Sequence, residues 1–169
     1  IGIKPQNLNF NYPYSTGARN QLTRWIQIGY LNSNFSLPSP ENTAVDYRDI
    51  SKPIALRARS YVDINCAHCH QNDRHCDYRP MRFAFNETGL PSGVGNTNMG
   101  VCVDTQDMQG FAPELSKIVT PRDITQSMMY YRLNTTDETY RMPLHGRTIL
   151  HEEGLALIEE WINSLDGCQ

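Results

Sequence analysis

The sequence predicts a mainly α domain with an N-terminal extension and long loops, and three stretches carry that expectation. The first is the C-x-x-C-H run Cys66-Ala67-His68-Cys69-His70. Two thiols three positions apart on one turn can each add to a vinyl group of one porphyrin. The histidine directly after the second thiol then lies beneath the iron as proximal ligand. The second is a helical period leading into that run, Ile54, Ala58, Val62 and Cys66. The third is an apolar stripe near the end of the chain: Leu155, Ile158, Trp161, Ile162 and Leu165. Two such helices must bury their stripes, and packing them beside one covalently held haem gives a small helical domain.

A chain of 169 residues suffices for one domain with a real core. Its net charge of −3 gives no electrostatic reason to expect nucleic acid or an anionic membrane as partner. No apolar run approaches the length of a membrane span. There is no basic-plus-apolar leader and Ile1 is not a natural start, so the chain reads as a piece of a longer protein. The five cysteines are an odd number. With Cys66 and Cys69 on haem, Cys76, Cys102 and Cys168 remain for one disulfide and one free thiol. Haem joins such motifs outside the cytoplasmic membrane, where disulfides also persist, so the expected location is periplasmic or secreted.

In order, residues 1–50 form the extension, expected to pack on the haem domain, and 51–169 form that domain. Residues 1–19 are rich in Asn, Pro, Tyr and Gly and read as extended chain. Leu22, Trp25, Ile26 and Gly29 predict a helix over 20–31 with Asn20 as N-cap. Trp25 is read as a core anchor rather than a neighbour of the haem edge. Residues 32–50 read as loop. Ser51 is the expected cap of the helix carrying the first haem cysteine, with Pro53 in its first turn. Residues 71–78 are turn-like, and 86–113 read as loop on their Gly, Pro and Asn content. Asp123 or Thr125 can cap a short helix holding Met128, Met129, Tyr130, Tyr131 and Leu133. The loop Tyr140–Gly146 follows. Glu152 and Glu153 favour the start of the last helix, and Gly167 is expected to end it.

Two rival readings of the motif are a redox dithiol, which wants a βαβ context, and half of a zinc site. For zinc, His68, His70, His75 and Cys76 are at hand, but no distant Cys/His pair closes the cluster. With haem, the sixth iron position decides the chemistry: a methionine gives a low-spin electron carrier, an open site binds gases or peroxide. Met142 is the leading candidate because Pro143 stiffens its loop, and His145 on the same loop is its rival. Met128 and Met129 fit core packing, Met81 follows His70 too closely, and Met99 and Met108 stay open on loops.

The helix into C-x-x-C-H, the Met-Pro loop and the terminal helix together resemble class I cytochromes c. A closer likeness covers nearly the whole chain. It runs through Asn20-Gln-Leu, Leu56 to His70, Gly100-Val-Cys102, Arg141-Met-Pro-Leu-His-Gly-Arg147 and His151 to Ile162. These stretches are similar to secreted bacterial monohaem cytochrome c modules, some fused to dehydrogenase or carbohydrate-binding domains in polysaccharide-degrading bacteria. The resemblance implies a class I-like helical fold and one haem c. Cys66 and Cys69 would be its thioether positions, and His70 and Met142 its axial ligands. It also implies roles around the haem. Pro80 would accept from the His70 ring, Tyr130 or Tyr131 would bond the Met142 sulfur, and Arg141 and Arg147 would pair with propionates. Ala58 and Trp161 would stand where the two helices cross. A Cys102–Cys168 disulfide would fasten the last helix, with Cys76–Cys102 as the alternative.

The implied function is one-electron transfer between extracytoplasmic redox partners by transient docking, from a dehydrogenase or toward a secreted copper polysaccharide oxygenase. The alternatives are a haem enzyme or gas or peroxide sensor with a labile distal site, and an interaction module in which haem is structural.

Overall fold

Polar, turn-forming residues at the start of the chain build a hairpin where unpaired extended chain is expected. In this computed structural model, which describes residues 3–89 and 94–168, β1 (Asn11–Tyr14) pairs antiparallel with β2 (Gly17–Asn20). Tyr14 stands opposite Gly17, which adopts φ +107°, a conformation open to glycine. The Asn20 side chain accepts from the Thr23 N–H at 3.0 Å and caps α1 (Gln21–Gln27), as its residue type predicts. The helix is shorter than the expected 20–31, since Gly29 at φ +78° ends the αR run. Contacts divide the chain into two compact units, Ile1–Val45 and Asp46–Gln169.

The second unit rests on two twelve-residue helices, α2 (Ile54–Asn65) and α6 (Glu152–Asn163), which pack on each other. Their stripes fall where the period places them. Ala58, Val62, Ile158 and Ile162 are almost wholly buried, and Trp161 joins the same cluster with Leu133, Val119 and Phe83. Between them lie α3 (Phe85–Thr88), α4 (Val94–Asn98) and α5 (Met128–Leu133). Residues 90–93, within the loop expected over 86–113, lie outside the described residues.

The expectation of a mainly α, class I cytochrome c-like domain is corrected here. Helix accounts for 34% of the structure, a two-stranded sheet is present, and loops form much of the rest. The 101–127 segment is tied by single bridges, Val101 with Val119, Asp104 with Lys117, and Lys117 with Ser127. The arrangement is not plainly a helical cytochrome and not clearly another class.

Three expected helix ends also move. Ser51 does not cap α2, because its N–H and hydroxyl both turn to Asp49, and Pro53 takes the cap position. Asp123 accepts from Thr125 and Gln126 in its own tight turn, so α5 begins later, after Ser127. α6 ends at Asn163, before Gly167. Cys102 and Cys168 form a disulfide that ties the chain after α6 to this bridged segment. Cys66, Cys69 and Cys76 are free thiols, so the Cys76–Cys102 alternative is not formed.

Candidate functional site

α2 delivers the motif by running straight into it. Cys66 is its C-cap residue, with its N–H donating to Val62 O at 2.8 Å. The Cys69 and His70 N–H groups then both donate to Cys66 O, at 3.1 and 3.0 Å. One more helical turn results, and residues at i, i+3 and i+4 share a face of such a turn. Cys66, Cys69 and His70 accordingly line one cavity of about 510 Å³. That volume is in the range of small-molecule and cofactor sites.

Met142 lines the same cavity. Its N–H donates to Arg132 O at 2.8 Å, which fastens the 140–146 loop to the end of α5. His145, Met81, Met128 and Met129 also line it, so the wall offers several soft or imidazole donors besides Met142. Met99 is instead a buried core residue, and Met108 accepts from the Thr105 hydroxyl at 2.8 Å. His68, His75 and Cys76 line the cavity too, yet no group of three His, Cys, Asp or Glu among the described residues has metal-binding geometry.

Burial sets the charge state of the key groups. The Cys66 thiol is pushed up to about 12, chiefly by burial and then by Cys69 and Asp63. His70 is pushed down to about 4, first by burial, then by Arg132, Arg79, His68 and Arg82. Its imidazole is therefore neutral, the form that binds a metal. The buried Nδ1 of His70 has no hydrogen-bond partner among the described residues.

The resemblance names Pro80 as the acceptor for that nitrogen. Pro80 lines the cavity without accepting from His70. Its turn is held instead by Arg82, which donates to the carbonyls of Asp77 and Met81 at 2.6 and 2.8 Å. The imidazole is positioned by Phe83. Their rings meet edge to face at 5.6 Å, and the Phe83 N–H donates to His70 O at 2.8 Å.

Four more residues to which the resemblance gives a role have other partners in this structure. On α5, Met128, Met129, Arg132 and Leu133 face the cavity, and at 3.6 residues per turn Tyr130 and Tyr131 must face elsewhere. Tyr130 donates to Glu159 of α6 at 3.1 Å, and Tyr131 packs edge-on against Phe111 and Tyr140. Arg141 pairs with Glu138 at 3.1 Å. Arg147 caps the end of α5, donating to Leu133 O at 2.5 Å and to Thr135 O. Neither arginine lines the large cavity. Arg147 lines a smaller neighbour of about 320 Å³ that shares Asn65, Leu133 and Pro143 with it.

The sequence reading missed Arg79 and Arg132, which do line the large cavity. The available signal was the position of Arg132 four residues after Met128, on the same face of α5. It also missed the contact of Gly154 with Tyr61, whose hydroxyl lies 2.9 Å from His151 Nδ1.

Compared with protein-family models, curated proteins and solved structures, the chain matches none.

Proposed function

We propose that this chain is an extracytoplasmic one-electron carrier built on a single covalently held haem c. One observation carries the reading: both motif thiols, the neutral His70 imidazole and the Met142 thioether line one cavity of cofactor size. The donor set suits haem iron, with a soft sulfur and an imidazole available as ligands and two thiols at thioether spacing.

Cys66 and Cys69 would hold the porphyrin, and His70 and Met142 would ligate its iron. When bound, the group supplies a one-electron couple. The chain's own part is to fix and dry the site. α2 presents the two sulfurs, Phe83 orients His70, and the Met142 loop is fastened to α5. Ile118, Phe83, Leu133 and Met128 give the cavity apolar wall, which limits solvent access and so sets the environment of the iron. The disulfide and the motif both support a compartment outside the cytoplasm.

The test is expression with a c-type maturation system. The expected product gains the mass of one haem that acidified organic solvent does not extract, with a low-spin spectrum and reversible reduction. Met142→Ala should become high-spin and bind carbon monoxide in its ferrous form, which the parent protein should not do rapidly. Absence of covalent porphyrin would refute the proposal. Fast carbon monoxide binding by the unaltered protein would favour a gas-binding or catalytic role instead.

A further inference from the structure

The large cavity has an uneven charge. Arg79, Arg132 and Asp107 are the only charged side chains lining it among the described residues, two cations against one anion. Asp107 is exposed and lies 3.8 Å from Arg79. Among the described residues Arg132 has no carboxylate in pairing distance: its Nε donates to Tyr140 O at 2.8 Å and its guanidinium lies 5.4 Å above the Phe111 ring. Its two terminal nitrogens bond no described residue. Burial and the nearby Arg79 both disfavour its charge. A half-buried guanidinium held in place with its outer fork unused fits a bidentate carboxylate.

The other arginines near the site do not line this cavity and have partners of their own, although Nε of Arg141 and of Arg147 is buried with no partner among the described residues. Arg82 is bound to carbonyls and to Asn72, Arg141 to Glu138, and Arg147 to the end of α5. We propose that Arg132, with Arg79 beside it, is the anion seat of the cavity and holds the porphyrin carboxylates. This rests on the haem reading above, and it replaces Arg141 and Arg147 in that role.

The experiment uses the haem-loaded chain and two readouts, the propionate bending band in resonance Raman spectra and the midpoint potential. In Arg132→Gln the band shifts and the potential falls, since a lost positive charge disfavours the added electron. Arg132→Lys keeps the charge but loses the fork, so its potential stays near the parent value while its band still shifts. Arg147→Gln changes neither. The assignment is overturned if the band is unmoved in both Arg132 variants, or if Arg147→Gln moves it as much. Arg132→Lys and Arg79→Gln carry the test if Arg132→Gln does not fold. Parent protein without covalent porphyrin overturns the haem reading and this assignment together, whereas a haem-loaded protein with an unmoved band overturns the assignment alone.

Discussion

At the scale of single residues, His70 shows how burial ties charge to stability. Its folded pKa is lowered to about 4 from the ordinary 6.5. Between those values the unfolded chain holds a proton that the folded chain refuses. Stability is therefore full above about pH 6.5, falls as pH drops toward 4, and is level below that. The window is worth on the order of 3–4 kcal/mol at about 1.4 kcal/mol per pKa unit. On the haem proposal, iron on the imidazole would act in the same direction, because a ligated nitrogen cannot be protonated. Urea unfolding at about pH 7 and about pH 5 should show this loss in the parent and a smaller one in His70→Gln. Equal slopes in the two proteins would mean that His70 does not carry the effect. That Cys66, Cys69 and His70 share a cavity was legible because their i, i+3, i+4 spacing puts them on one face of a turn. The partners of His70 were not, since Phe83 reaches the ring through the fold rather than through a fixed offset.

At the scale of elements, the contact between α2 and α6 turns on Gly154. A Cβ there would stand 2.1 Å from the Tyr61 hydroxyl and 2.7 Å from His151 Nδ1. Alanine in a helix interior gains up to about 1 kcal/mol over glycine. Forcing a methyl into a packed contact costs about 1–3 kcal/mol, and losing the Tyr61–His151 hydrogen bond costs about 1 more. The penalties win, so Gly154→Ala should lower stability by about 1–3 kcal/mol in denaturant unfolding. Gly146→Ala is the control: nothing lies within 4 Å of its Cβ position, and only its φ of +76° opposes the change. A milder loss at Gly154 than at Gly146 would contradict this view of the crossing. α2 and α6 were readable because buried stripes at helical period leave a pattern in any sequence. The β1–β2 hairpin left none, since most of its residues are exposed and its strands carry no apolar alternation. The bridges at 101–127 pair single residues far apart in sequence, and no local rule announces such pairs. Summed over the chain, these unannounced segments are why a mainly α expectation fails against 34% helix.

At the scale of the whole molecule, the Cys102–Cys168 disulfide closes a loop across 66 positions of sequence. That loop contains α5, the Met142 loop and all of α6. Other ties hold the end of α6 as well. Arg122 donates from its backbone to Ile162 O and from Nε to Leu165 O, each at 3.0 Å, and lies 3.4 Å from the exposed Asp166. A solvated ion pair of that kind adds at most about 1 kcal/mol. Cross-linking a loop of this length restricts the unfolded chain by about 4 kcal/mol, so the disulfide is the stronger term. Cys168→Ser, or reductant added to the parent, should lower the unfolding free energy by about that amount. Reductant should leave Cys168→Ser unmoved, because Cys66, Cys69 and Cys76 are free thiols and no second disulfide remains to be cut. Thioether bonds resist thiol reductants, so the same treatment should not release a covalently held haem. A parent protein equally stable in oxidant and reductant would deny the bond its structural weight.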